Sequence, residues 1–245
     1  MESNSSRGLD WWTQSWALFM KNPGMWLIFG VIFFVGSAVL GMIPVLGGLV
    51  LAVVTQVVIG GWMLSARKLE SGGALEVSDL FLGFKDKDKL NPLLVVGAMA
   101  LGVTVVIMLV VALLGGGAMV GLAASSAANS MGGIIASAGM GLLILLVVMM
   151  LGFVFAMAFW YAPALVVFRG LAPVDAVKAS WSATLTNVVP LVVYGLIWIV
   201  AAIVASIPFG LGWVVLLPLT MLGMYRSYVD LFERAAETPP VPVAP

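Results

Sequence analysis

The chain has 245 residues, of which 62% are hydrophobic and 9% charged, with a mean hydropathy of +1.17. Soluble domains carry about a quarter charged residues, so the sequence reads as an integral membrane protein, one membrane domain with no room for a separate soluble catalytic domain. Formal charge is zero and Cys and His are both absent. This gives nucleic acid no reason to bind and removes disulfides, thiolate nucleophiles, zinc or haem ligation and imidazole acid/base chemistry, so no cofactor and no metal is expected.

In chain order, Met1–Arg7 is polar and lacks the pattern of a cleaved signal, so the first span is expected to act as an uncleaved insertion signal. Helical spacing over Leu9–Met20 puts Leu9, Trp12, Trp16, Phe19 and Met20 on one face and Asp10, Gln14 and Lys21 opposite, as in a helix lying in the membrane interface. Asn22-Pro23-Gly24 breaks it. Met25–Ile43 is an uncharged span, Pro44 and Gly47-Gly48 make a turn, and Val45 to Ala66 is a second span ending at Arg67-Lys68. Glu70–Leu90 is charged and reads as a second surface helix, with Val77, Leu80, Phe81 and Phe84 on one side. Asn91-Pro92 repeats the break, and Leu93–Leu114 is the third span.

Gly115–Gly139 is rich in Gly, Ala and Ser without charge and reads as an external loop. Met140–Phe168 is a fourth span, over-long and predicted to tilt or kink near Pro163. Ala172–Leu185 is a third amphipathic helix, with Pro173 in its first turn and Val174, Val177, Trp181 and Leu185 aligned. Val188–Ile207 and Leu211–Tyr228 complete six spans, with Pro218 bending the last. Ala235–Pro245 is Pro-rich and expected to be disordered.

Part of this pattern occurs twice. Ser15–Thr55 aligns without a gap on Ser180–Thr220 at an offset of 165, with twelve identities in 41 positions, among them Ser15/Ser180, Trp16/Trp181, Asn22/Asn187, Gly30/Gly195, Gly47/Gly212 and Thr55/Thr220. The predicted fold is therefore all-α and polytopic. It comprises six transmembrane helices as three hairpin units, 8–68, 77–169 and 172–232, each preceded by a cytoplasmic amphipathic helix, within a single domain over 1–234. All eleven Lys and Arg fall on one side of such a path, which places both termini in the cytoplasm.

Trp160-Tyr161-Ala162-Pro163-Ala164-Leu165, Tyr225-Arg226-Ser227-Tyr228, Leu80–Phe84 and Asn187–Pro190 together resemble the uncharacterised BPSS-type integral membrane proteins of proteobacteria. The resemblance covers nearly everything from Gly8 to Phe232. More distantly, the plan is similar to membrane domains attached to some glycerophosphodiester phosphodiesterases. What this implies is a Gram-negative inner-membrane location and a six-helix fold. The catalytic domain of those distant relatives has no counterpart here, and no catalytic residue carries over.

Apart from Arg226, two residues from the cytoplasmic end of the sixth, no Asp, Glu, Lys or Arg falls inside a predicted span. That lowers ion-coupled transport and leaves an intramembrane protease without its groups. Gln56 with Thr55 reads either as an interhelical hydrogen bond, worth about 0.6 kcal/mol, or as a contact for a solute or lipid head group. Trp160, Tyr161 and Pro163 read either as a kinked, interface-anchored helix or as a lateral opening for lipid. Trp12, Trp16 and Trp181 are interface anchors. Asp79, Asp86 and Asp88, interleaved with lysines, read as a solvated helix end. The expected function is a non-enzymatic inner-membrane scaffold or accessory that meets membrane lipids or other membrane proteins. The alternative is a facilitator or channel for a small uncharged or amphiphilic solute. A lipid-head-group enzyme would require Asp175, Asp230 and Glu233 to come together.

Overall fold

The computed structural model describes residues 6–128 and 130–234, and among these every regular element is helical. Helix α1 is Ser6–Lys21. Asn22 then starts α2, Pro23–Gly41, in the way its side chain favours: Oδ1 accepts from the Met25 N–H at 3.3 Å, and Pro23 occupies a first-turn position where its missing N–H costs nothing. The chain reverses at Val45, whose φ of 62° lets the Leu46 N–H donate to the Pro44 carbonyl at 2.7 Å, and α3 follows as Leu46–Glu70.

A 3-10 turn, Val77–Phe81, and a single turn α4, Leu82–Lys85, lead into α5, Lys87–Ala127, and then α6, Met131–Phe159. Helix α7 is Ala162–Arg169, ended by Gly170 in the left-handed region, and α8 is Pro173–Thr186. Helix α9 is Val188–Ser206. Helix α10, Trp213–Tyr228, runs into a π-helical turn at Val229–Arg234.

Among the described residues, five stretches are long and apolar enough to cross a membrane: Pro23–Gly41, Leu46–Glu70, Lys87–Ala127, Met131–Arg169 and Val188–Ser206. Helix α10 has 16 residues, about 24 Å of rise, and is mostly buried among the others.

Three expectations need correction. The charged segment at 77–90 is not one surface helix but a 3-10 turn, a four-residue helix and the first turn of α5. Asn91-Pro92 does not break the chain: Pro92 is the sixth residue of α5, and the carbonyl its missing N–H leaves without a helical partner is that of Asp88, in the exposed first turn. The Gly115–Gly139 stretch is helical on both sides of residue 129 rather than an open loop. Alanine is the strongest helix former, and Gly121 and Gly133 let α5 and α6 close on Ser137 and Ser125, so packing outweighs the glycine cost. The fourth span begins earlier than expected, at Met131, and is broken at Trp160-Tyr161 just before Pro163. The 235–245 tail lies outside the described residues.

The helices pack as consecutive pairs, α2 with α3, α5 with α6 and α9 with α10. Helix α2 also packs on α10, and α5 on α3. Helix α1 lies across α9 and α10, the 3-10 turn and α4 lie on α3, and α8 lies on α6 and α7. The centre is filled by Trp26, Phe29, Trp62, Met63, Leu93 and Leu165, all buried. The sequence repeat is also a repeat of form: Val45 and Gly210, 165 apart, both have positive φ. A Cβ on Gly47 or Gly212 would collide with the residue seven positions earlier, Leu40 or Ala205, so both turns need glycine for close approach.

Candidate functional site

The break in the α6–α7 rod is made by a side chain rather than by Pro163 alone. In an unbroken helix the Tyr161 N–H would bond the Met157 carbonyl. Here Ser180 from α8 stands between them: its Oγ accepts from the Tyr161 N–H at 3.0 Å and donates to the Met157 O at 3.1 Å. Thr184 Oγ1 adds a second donor to Met157 O at 3.2 Å. A hydroxyl inserted into the backbone ladder is a recognised cause of a kink, and it satisfies both freed groups in a site where Ser180 has no exposed surface.

Next to the break, α6 and α9 line a cavity of about 510 Å³ that is partly open to the surface. Phe153, Met157 and Trp160 line it from one side and Leu191, Tyr194, Gly195, Trp198 and Ile199 from the other, with Thr184 and Thr220 at its limits. Its polar groups are turned inward. The Trp198 Nε1 donates to Thr220 Oγ1 at 2.8 Å, which donates to Leu216 O at 2.8 Å. The single Thr184 hydroxyl proton is shared among Met157 O at 3.2 Å and the carbonyls of Ser180 and Trp181 on its own helix at 3.0 and 2.9 Å. The Trp160 Nε1 and Tyr194 OH are buried behind the wall without partners, so the walls present carbon.

Tyr194 roots the cavity in an aromatic cluster. Trp12 stacks on it at 5.3 Å between ring centres and donates Nε1 to its carbonyl at 3.1 Å, while Trp160 and Trp11 lie at 6.1 and 6.3 Å. Trp11 in turn donates to Asp230 Oδ2 at 2.9 Å. Arg7 meets the same carboxylate through Nε and Nη2, at 3.0 and 2.9 Å, and reaches Asn187 Oδ1 at 3.3 Å. This end of the cavity is therefore tied together by a partly buried charge network from α1, α9 and the terminal turn. A second network joins Arg67 to Glu233 and Tyr225, and Arg226 to Glu70, with the Arg67 guanidinium 4.3 Å above the Phe168 ring.

The residues singled out in the sequence fall in different places. Trp160 lines the cavity. Tyr161 and Pro163 are buried beside it and do not. Thr55 bonds its own helix at Leu51 O, 2.6 Å, and borders a separate gap of about 20 Å³, room for one water. Gln56 is buried with Oε1 unpaired. Trp16 is half exposed and stacked on Phe19, Trp181 is partly buried, and Trp12 is a packing residue against Tyr194.

Asp79 is buried and held by Lys68 at 2.9 Å. Asp230 and Glu233 each face an arginine, and among the described residues no three acidic side chains gather as a metal-binding group. The cavity residues Leu191, Tyr194 and Trp198 carried no sequence signal beyond lying in the second repeat copy.

Among the described residues, fold and cavity together define an all-helical arrangement with five membrane-length apolar helices and an apolar recess between α6 and α9. The family described as "Domain of unknown function (DUF7847)" matches residues 25–244, and the chain belongs to that family. No curated protein and no solved structure matches it.

Proposed function

We propose that this chain is a non-enzymatic, lipid-interacting accessory protein of the bacterial inner membrane, crossing it six times with both termini in the cytoplasm. The observation that carries the reading is the cavity between α6 and α9, which is partly open to the surface and offers carbon walls to whatever enters.

The outward surfaces of α2, α5, α6 and α9 support it, being exposed and apolar at residues such as Val35, Leu109, Leu146 and Val200. In a bilayer such faces meet hydrocarbon. In the six-crossing path α10 is the shielded sixth helix, short because its neighbours rather than lipid surround it. The three surface segments each expose apolar side chains beside their buried ones: Leu9 and Trp16 in α1, Val77 and Phe81 in the 3-10 turn, Val174 and Leu185 in α8. Seating all three at the cytoplasmic interface accounts for those exposures together with the one-sided Lys and Arg. The resemblance to proteobacterial inner-membrane proteins agrees with the location.

A channel reading gains no support from a centre packed with Trp26, Phe29, Trp62 and Leu93. The test is mass spectrometry of the protein after gentle extraction from its own membrane. Co-purifying phospholipid at about one per chain is expected; an empty protein, or one carrying only a polar solute, would overturn the proposal.

A further inference from the structure

The three helix pairs meet one another by a common rule, and one of the meetings is missing. Helix α2, first of its pair, packs on α10, second of another pair; α5, first of its pair, packs on α3. Each contact passes through a glycine at which two backbones touch. A Cβ on Gly30 would stand 2.8 Å from Val214 O, and one on Gly97 would stand 2.4 Å from Val53 O. The third meeting would be α9 on α6. Gly195 stands at the repeat position of Gly30, yet a Cβ there meets nothing within 4 Å, and Gly195 lines the cavity instead.

The neighbouring repeat positions show why. Trp26, fully buried against Phe29 and, from α3, Trp62 in the first copy, is matched in the second by Leu191, which lines the cavity with an indole's worth less bulk.

The geometry points to a binding site for the acyl chains of one phospholipid, entering sideways from the cytoplasmic leaflet and occupying the place where α9 would otherwise close on α6. This rests on the lipid-interacting reading above and names its ligand and its site. A transmembrane helix about 10 Å across would fill 510 Å³ with little more than one turn, so the recess is too small to seat one. A hydrocarbon chain about 5 Å across would run about 26 Å in that volume, against about 15 Å for the depth of one leaflet, which suits two chains side by side.

A polar solute finds no accessible partner, since Thr184, Trp198 and Thr220 are bonded within the protein and the unpaired Trp160 Nε1 and Tyr194 OH expose no surface to the cavity. The leaflet follows from position: the lining parts of α6 and α9, Phe153–Trp160 and Val188–Ile199, are the halves next to Arg7, Asn187 and Asp230. In a bilayer an unfilled recess forfeits van der Waals contact along its whole wall, and the nearest filler is the neighbouring lipid.

Gly195→Leu, at a position where a Cβ meets nothing within 4 Å, and Leu191→Trp, which gives this copy the indole of Trp26, are chosen to fill the seam, and Ile203→Trp, on the exposed outer face of α9, is the control. With full-length protein in phosphatidylethanolamine/phosphatidylglycerol nanodiscs, stripped by detergent and weighed by native mass spectrometry, the unaltered chain is expected to keep one phospholipid. Each seam variant should retain about fivefold less and Ile203→Trp should change less than twofold.

Seam variants that keep lipid like the parent overturn the seam while leaving lipid binding standing; a parent that keeps none overturns both. Photolabelling of the unaltered protein, which needs no variant to fold, gives the independent check. Phospholipid bearing a mid-chain diazirine should label 153–160 and 188–199 several-fold above the outer face of α5. Even labelling of all apolar faces, or labelling of the seam by free fatty acid but not by phospholipid, overturns the assignment.

Discussion

Replacing Ser180 by Ala removes one oxygen from a site with no exposed surface, and the structure says what that oxygen does. It receives the Tyr161 N–H and donates to Met157 O, standing in for the backbone bond that the two would make in a straight helix. After the change Met157 O still has Thr184 Oγ1 at 3.2 Å, but the Tyr161 N–H has no acceptor. An ordinary interhelical side-chain bond in a membrane protein is worth about 0.6 kcal/mol. A buried donor left unsatisfied costs about 1–3 kcal/mol.

We expect about 2 kcal/mol of destabilisation for Ser180→Ala. The exposed Ser182→Ala on the same helix should change stability by less than about 0.5 kcal/mol. Ser180→Ala combined with Thr184→Ala strips Met157 O as well and should exceed either single change. Steric-trap unfolding in bicelles measures all four. A Ser180→Ala loss below about 0.5 kcal/mol, with the Trp160 environment unchanged, would refute the bridging role and leave the break to Pro163 alone.

Val45→Gly should stabilise the protein by about 1 kcal/mol, because a β-branched residue at φ 62° stores strain that Gly210 avoids at the matching position; reversible unfolding reads it. Gly30→Leu drives a side chain into Val214 O and should cost about 2 kcal/mol or more, whereas Gly195→Leu should be nearly neutral in stability, so parallel melts of two identical substitutions at matched positions should diverge. Asp230→Asn weakens the acceptor that Arg7 and Trp11 share and should cost about 1–2 kcal/mol, seen as earlier exchange of α1 amides for deuterium.

The Asp86 carboxylate, bonded by Lys89 and by the Asp88 N–H, should titrate below the ordinary aspartate range. Its contribution to the start of α5 is complete above the unfolded-chain value and is lost as pH falls through the lowered one, which carboxyl NMR shifts can follow.

The two stretches could be aligned because Trp and Asn matches are rare by chance, and at their turns the matched positions share geometry, the close approaches at Gly47 and Gly212 and the positive φ of Val45 and Gly210. What it hid was divergence of use. Ser15 and Ser180 are the same letter, but Ser15 Oγ bonds its own helix at Trp11 O while Ser180 bridges a break in another. Asn22 caps α2, whereas Asn187 accepts from Arg7 and donates to Ala183 O.

Gly30 and Gly195 sit in similarly apolar flanks, and the change from Trp26 to Leu191 does not say what helix faces either glycine, so the recess could not be read from one strand of letters. The facing of α1 was half legible. The spacing grouped Leu9, Trp16 and Met20, which are exposed, with Phe19, which is buried; the inner stripe is Trp11, Ser15 and Leu18, chosen by contact with α9 and α10. The Gly115–Gly139 stretch misled because its small residues serve helix contact as well as they serve a loop.

Helix α5 has a consequence for the bilayer itself. From Asn91 to Phe168 the chain carries no charge, and the uncharged part of α5 rises about 54 Å, against about 30 Å of hydrocarbon. In the six-crossing reading, leaning by 40°, the steep end of what membrane helices adopt, brings that rise to about 41 Å, the full thickness with head groups included. The α5–α6 pair is then a slanted mast whose lean is set by the depth of the sheet it stands in. On that reading a thicker membrane would let it stand up and a thinner one would force it down, and α8, which packs on both helices, would feel the change next to the seam.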